Sequence, residues 1–443
     1  MTSRASRLPR ALGWLVLAWI GSRAALMGVI IGLVPYPDGP LVINDVLLYS
    51  EWSQLLVTGR FPIGDDMWQY PPGAGAVFAL SALIGASPVV GFFVIALTAD
   101  AAILVMLLIA GFRRRRPQAD GAADTVRPDL MPAWAWVVSA VLIGPVFLAR
   151  FDLLPTAAAV AALLLVSRPR LSGGAAAVGA LLKVWPGLAL LALPRRSLVC
   201  GATGFVVTAI AILIAVSLWA TGGVSFVGEQ QSRGLQVESV AAWPFLVAQG
   251  FGAEVPLEFR FGAMEIDLDV TIGIGTVVTG IGLLLILGLG IARLLGMLED
   301  IPGVDVVLTA LLISMITSRV LSPQYNVWVV GVAAVALMDR RTQLRPVIAL
   351  LAISVTVTQV IYPFGYGSLL SSQWWALGLQ TVRILSLVAA TVWAIAVLIR
   401  QMRAPSLRER ATEPTPAADT TESTDEQSGD LAGSPIRQLP RPN

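Results

Sequence analysis

The chain has 443 residues, 56% hydrophobic and 13% charged, with a net charge of +2; soluble domains run at about 45–50% apolar and about 25% charged. A soluble globular domain is therefore excluded, and a bundle of helices that satisfy their own backbone groups inside lipid is required. With no histidine, one cysteine (Cys200) and one lysine (Lys183), the chain cannot form an intrachain disulfide, a cysteine metal cage or any His-dependent nucleophile or proton shuttle.

From the N-terminus, Arg4, Arg7 and Arg10 precede an apolar run at 11–34. That run is too long for a cleaved signal segment and lacks a small-residue cleavage pattern, so it reads as the first membrane span. Further spans read near 88–111, 132–149, 153–167, 171–183, 185–194, 198–219, 270–293, 304–318, 325–338, 346–362 and 374–400, an all-α integral membrane bundle of about 12 helices. Basic clusters at 4–10, 113–116, 168–170, 195–196, 340–345 and 400–403 place those loops, and both termini, in the cytoplasm. Two loops are acidic. Residues 35–70 hold Asp38, Asp45, Glu51, Asp65 and Asp66 against Arg60, and residues 220–268 hold six acids against Arg233 and Arg260. The outer loops, 35–87 and 220–268, are expected to carry short helices, with 71–84 lying along or dipping into the outer face. The pair 171–183 and 185–194, broken by Pro186, reads as two short crossings with Lys183 near the outer surface, or as one span with Lys183 buried midway. The domain ends near 403; residues 404–443 are Pro-, Thr-, Ser- and acid-rich and read as a disordered cytoplasmic tail.

On this layout the isolated polar residues gather on the outer face. Asn44 or Asp45 could cap a short helix, with Tyr49 one turn after Asp45 on the same side. Glu51 and Trp52 follow. Arg150 and Asp152 sit together between two spans, Lys183 and Trp185 at another span end, Arg319 before Leu-Ser-Pro-Gln-Tyr, and Arg233, Gln236 and Glu238 in the second loop. Each has a plain structural reading: Asp45 as a helix cap, Arg150 and Asp152 as an interfacial ion pair, Arg319 as a snorkelling terminal arginine. Lys183 resists one, because an ionisable group inside a span is costly. Together they suggest a site that handles an anion with Arg and Lys and activates a hydroxyl with Asp. Nothing suggests a nucleic-acid partner; the partners expected are the lipid bilayer and what it carries.

The acidic loop after the first span, followed by Trp-Gln-Tyr-Pro-Pro-Gly at 68–73, resembles the membrane glycosyltransferases of the GT-C superfamily. The similarity is closer to the bacterial glycosyltransferase 87 type, which includes polyprenyl-phosphate-mannose-dependent mannosyltransferases of actinobacteria. Arg-Phe-Asp-Leu-Leu-Pro at 150–155, Leu-Leu-Lys-Val-Trp-Pro at 181–186, Arg-Gly-Leu-Gln-Val-Glu-Ser at 233–239 and Leu-Ser-Pro-Gln-Tyr-Asn-Val-Trp at 321–328 carry it in order. The resemblance implies a GT-C-like fold and an inverting hexosyl transfer, most simply of mannose, from a polyprenyl-phosphate sugar to a glycolipid or polysaccharide of the cell envelope. The site would face outward from the plasma membrane. It implies Asp45 as the base, Arg150, Lys183, Arg319 and Arg233 around the donor phosphate, and Tyr49, Glu51, Trp52, Trp68, Tyr70, Asp152, Glu238, Gln324 and Tyr325 around the substrates. Asp152 would orient Arg150. No cofactor is expected, although some GT-C relatives hold a divalent metal near this place. Arabinofuranosyl transfer on the same scaffold is the nearest alternative. A lipid-linked sugar transporter is another, and would show inverted repeats and paired charges at the midplane; neither is evident. A purely structural scaffold leaves Lys183 and the long outer loops unexplained.

Overall fold

The computed structural model describes residues 7–37, 39–113, 128–223 and 233–403. Arg4, Asp38, three of the four arginines at 113–116 and the whole 404–443 tail lie outside the described residues, and with them the expectation of a disordered tail.

Helices α1 (Arg7–Ile30), α2 (Gly39–Leu56), α3 (Pro72–Leu83) and α4 (Pro88–Arg113) form the N-terminal part. After them come α5 (Met131–Ile143), α6 (Leu153–Leu164), α7 (Pro169–Leu182), a 3₁₀ segment at Trp185–Ala192, and α8 (Leu198–Trp219). The C-terminal part holds α9 (Trp243–Gly250), α10 (Asp269–Leu294), α11 (Gly303–Ile316), α12 (Tyr325–Ala336) and α13 (Arg345–Gln359). A break at Val360–Gly365, α14 (Tyr366–Leu370) and α15 (Trp374–Arg403) complete it. Proline opens α3, α5, α7, α9 and α13, where its missing N–H costs nothing.

Six of these segments are long and apolar enough to cross a bilayer: Arg10–Ile30, Pro88–Arg113, Arg195–Trp219, Asp269–Leu294, Arg345–Leu370 and Trp374–Arg403. Five shorter apolar helices join them, among them α11 and α12. At 1.5 Å per residue the shorter ones are about 18–25 Å long, against about 30 Å of hydrocarbon. The expected span at 185–194 is instead an eight-residue 3₁₀ segment, about 16 Å long, too short to cross alone. Burial varies widely among these helices. Ten of the twelve residues of α12 are buried, which places that helix in the middle of the bundle. Along α8 and α10 only 11% and 17% of the apolar stretch is buried, so these two stand at the perimeter and present Leu, Ile and Val to lipid.

Two features differ from the sequence expectation. The 35–87 loop carries two helices, but 220–268 carries one short helix and a three-stranded antiparallel sheet, β1 (Leu235–Gln236), β2 (Leu257–Arg260) and β3 (Ala263–Ile266), in the order β1-β3-β2. The cause is legible in Leu-Glu-Phe-Arg-Phe-Gly-Ala-Met-Glu-Ile, which alternates in period two around a two-residue turn. Phe261 and Gly262 have φ of +52° and +73°, as a type I′ hairpin turn requires. The second is a charged pair inside the bundle: Arg23 of α1 grips Asp100 of α4 through Nη2–Oδ1 at 2.8 Å and Nε–Oδ2 at 2.9 Å. The indole N–H groups of Trp19 and Trp136 donate to the same carboxylate at 2.7 and 2.8 Å. Both oxygens are satisfied and the pair is sealed, which is the condition for such a pair to persist in lipid.

Candidate functional site

Asp45, Tyr49 and Trp52 lie at i, i+4 and i+7 of α2, one face of the helix. That face forms one wall of a cavity of about 640 Å³. Tyr70 and Gln69, just before α3, extend the wall. Opposite stand Lys183 and Trp185, at the bend that ends α7, and Gln324, Tyr325 and Trp328, around the start of α12. Arg233 and Phe261 of the sheet region, Arg319 between α11 and α12, and Thr279 of α10 complete it. Thr279 is ten residues into α10, so the cavity reaches from the hairpin to a depth of about 15 Å along a membrane-length helix.

Asp45 does not cap a helix: α2 begins at Gly39, and Asp45 lies inside it. Its side chain is 33% exposed and sits 2.9 Å from Arg150 Nε. The Nε–H does not point at the carboxylate, so the contact is electrostatic rather than a directed hydrogen bond. Among the described residues no donor hydrogen-bonds to Asp45, and its oxygens remain free to accept from a ligand.

Arg150 and Asp152 are not partners, and neither lines the cavity. Arg150 is buried beneath Asp45 and spends its remaining donors on protein: Nη1 on the carbonyls of Val42 (2.5 Å) and Ala149 (2.8 Å), Nη2 on the Leu41 carbonyl (3.3 Å) and the Tyr362 hydroxyl (3.1 Å). Asp152, buried, accepts from Lys183 Nζ at 2.7 Å and from Trp328 Nε1 at 2.5 Å on the same oxygen. The expected Arg150–Asp152 pair is thus exchanged for two pairs, Asp45–Arg150 and Asp152–Lys183.

The Lys183 ammonium lies 4.8 Å from the ring centre of Trp328, 5.2 Å from Tyr325 and 5.9 Å from Tyr70. The three rings turn their faces to the cation, which attracts it. Tyr325 stacks on Trp328 at 3.8 Å, and Trp328 on Trp185 at 5.4 Å, a three-ring column along the wall. Arg233 is anchored by Glu265 at 2.6 Å and by the Gln69 side chain. Arg319 does not snorkel to the membrane surface. It donates to the Arg233 carbonyl at 2.5 Å and to Thr276 Oγ1 at 2.6 Å. Of the cavity's three cations it is the one that has no carboxylate partner among the described residues.

Tyr49 and Tyr70, the phenols on the α2 side of the cavity, bond each other at 2.9 Å. Burial first, with the Asp45 charge adding to it, pushes both well above the ordinary phenol range. They stay protonated and cannot serve as bases. Among the described residues that line the cavity, Asp45 is the one carboxylate.

Besides Asp152, three expected lining residues stand elsewhere. Glu51 is exposed and outside the cavity, because it is two helical steps from Tyr49 and so points away. Trp68 is buried behind the wall, edge-on to Trp52 at 5.0 Å. Glu238 is buried against Arg383 of α15 at 3.1 Å, and burial raises its carboxyl despite that arginine. Arg383 and Tyr362 were not singled out by sequence. The first is the only charge between 374 and 399, and the second adjoins a proline within an apolar run; those were the available signals. Among the described residues no three His, Cys, Asp or Glu are grouped to hold a metal, and the cavity wall offers one carboxylate.

The motifs around this cavity coincide with a known family. Residues 68–251 match the model of glycosyltransferase family 87. That stretch, less than half of the chain, is what the chain shares with the family. The family 87 region supplies Gln69, Tyr70, Lys183, Trp185 and Arg233 of the wall, while Asp45 and Arg319 lie outside it on either side. The fold is also similar to a crystal structure of ArnT from Cupriavidus metallidurans bound to undecaprenyl phosphate, at 16% identity over 88% of this chain and 78% of that chain, with a TM-score of 0.40. That likeness is distant. No curated protein matches the chain.

Proposed function

We propose that this protein is a multi-pass membrane glycosyltransferase of GT-C type. It moves a hexose, mannose, from a polyprenyl-phosphate donor to a hydroxyl of a cell-envelope glycolipid or polysaccharide, at the outer face of the plasma membrane and with inversion. One observation carries the reading. The cavity faces a carboxylate free of hydrogen bonds toward three cations, one of them without a counter-charge, and it extends to membrane depth.

The chemistry follows from that arrangement. The acceptor hydroxyl oxygen attacks the anomeric carbon as the bond from that carbon to the phosphate oxygen breaks. The hydroxyl proton passes to Asp45, and the bonding electrons leave on the lipid phosphate. A single displacement inverts the anomeric centre, with an oxocarbenium-like transition state. The phosphate gains charge as it leaves, and preorganised cations in a water-poor site stabilise it. Arg319 and Lys183 fill that role, with Arg233 beside Arg319. Arg150 stands apart from it, since it is buried outside the cavity and both of its Nη atoms donate to protein groups. The Trp185–Trp328–Tyr325 column and Trp52 offer flat apolar faces to sugar C–H surfaces, and Gln69 and Gln324 offer polar contacts. Thr279 sets a hydroxyl in the cavity wall from α10, a helix that otherwise presents apolar residues to lipid, which suits a phosphate arriving from the bilayer.

The transporter reading gains no support from the Arg23–Asp100 pair: every oxygen of that carboxylate is occupied and the pair does not line the cavity. Radiolabelled sugar transfer by purified protein in liposomes tests the proposal. Product with polyprenyl-phosphate mannose supports it, and flipping of the lipid without transfer to any acceptor would replace it. Product from polyprenyl-phosphate arabinose alone would keep the class and change the sugar.

A further inference from the structure

Arg150 sits where a phosphate-binding arginine was expected, yet it is turned to another task. Two of its donors hold carbonyls of residues 41 and 42, the turn of α2 immediately before Asp45, while its Nε lies against the Asp45 carboxylate. Its position is fixed in turn by Tyr362. That hydroxyl donates to the Leu41 carbonyl at 2.8 Å and accepts from Arg150 Nη2 at 3.1 Å. Tyr362 lies in the break between α13 and α14, with extended backbone (φ −117°, ψ 119°) inside an otherwise helical segment. The break is what allows its side chain to reach the start of α2, more than 300 positions away in the chain. Three remote segments, 41–45, 150 and 362, thus close on one carboxylate.

We propose that Tyr362 is a positioning residue for Asp45, acting through Arg150 and the Leu41 carbonyl; this rests on Asp45 being the base of a sugar transfer. A planar guanidinium with five donors can hold two carbonyls and a hydroxyl in fixed directions while keeping its charge beside the carboxylate. The tyrosine hydroxyl supplies one acceptor and one donor, and phenylalanine supplies neither. Without the hydroxyl, one Arg150 donor and the Leu41 carbonyl lose a partner, and the base loses its fixed aim. The substrate pockets are lined by other residues and keep their shape. An ångström of misplacement at a reacting group costs up to about 100-fold in rate.

The test compares wild type, Tyr362→Phe, Arg150→Lys and Asp45→Asn in liposomes with polyprenyl-phosphate mannose and a glycolipid acceptor, measuring kcat, donor KM and donor binding on each preparation. The expected result is about a tenfold fall in kcat for Tyr362→Phe, with donor KM and affinity within about twofold of wild type, and a larger fall for Arg150→Lys. Unchanged kcat in Tyr362→Phe, or a change confined to KM, overturns the proposal. Should Tyr362→Phe fail to fold, Arg150→Lys retains the Tyr362–Leu41 bond and decides alone: kcat equal to wild type overturns the relay. Absence of transfer by wild type is a separate outcome, which removes the transferase reading and this inference with it.

Discussion

Asp45 and Asp152 are two carboxylates that each meet a basic side chain, Arg150 and Lys183, and their surroundings give them opposite fates. Asp152 is buried and receives two short hydrogen bonds, so it is consumed in holding Lys183 and Trp328. Asp45 is a third exposed, beside a cation, and unbonded. General-base catalysis contributes about 10²–10⁴ in rate, so Asp45→Asn is expected to lower kcat by at least about 100-fold while donor binding measured by titration persists. Asp152→Ala should act on the protein as a whole. It strands the Lys183 charge, a loss of roughly 3 kcal/mol for a buried pair, visible as a lower thermal midpoint together with weaker donor binding. Arg319→Ala should raise donor KM about tenfold or more with little change in fold, since it removes a cation that no carboxylate balances. A KM equal to wild type would return Arg319 to a structural role. The identities of Asp45, Lys183, Arg233 and Arg319 were legible because a charge beside an apolar run is expensive and so conspicuous. Their pairing was not. Arg150 and Asp152 are two apart in sequence, yet their partners come from α2 and the end of α7, and sequence adjacency says nothing about that.

Among the elements, α7 and α8 show how close approach is built without large side chains. A Cβ at Gly173 would fall 1.9 Å from the Gly201 carbonyl oxygen, and one at Gly204 would fall 2.1 Å from that of Arg170. Small residues let helices touch backbone to backbone where lipid supplies no hydrophobic drive to pack them. Gly173→Val should therefore destabilise by about 1–3 kcal/mol or more, read as a lower thermal midpoint in detergent and a reduced monodisperse yield. An unchanged midpoint would mean the two helices are not packed this way. The α7 bend that follows is what delivers Lys183 and Trp185 to the cavity. Long apolar runs gave away α1, α4, α8, α10 and α15 by length alone. The hairpin at 257–266 was legible in its alternation but was masked by its acidic, loop-like surroundings. The eight-residue segment Trp185–Ala192 could not be sized from hydropathy, because a 3₁₀ turn and a short α-helix have the same apolar pattern.

At the scale of the molecule, the buried short helices α11 and α12 form the centre, α8 and α10 form a lipid-facing perimeter, and the polar cavity lies between the α2 face and the start of α12. Charge placement follows the same division: Arg23–Asp100 is neutralised and sealed inside the bundle, whereas the cavity keeps three cations against one carboxylate at its wall. In the proposed mechanism the cations and Asp45 carry the transfer, so addition of EDTA is expected to leave it unchanged. Loss of activity that magnesium or manganese restores would contradict that. The most direct measurement is sugar transfer by the purified protein in liposomes containing polyprenyl-phosphate mannose and a glycolipid acceptor, with wild type and Asp45→Asn side by side. Transfer by wild type, with inversion at the anomeric carbon and loss in the variant despite intact donor binding, is the expected result. Transfer by Asp45→Asn at the wild-type rate would contradict it.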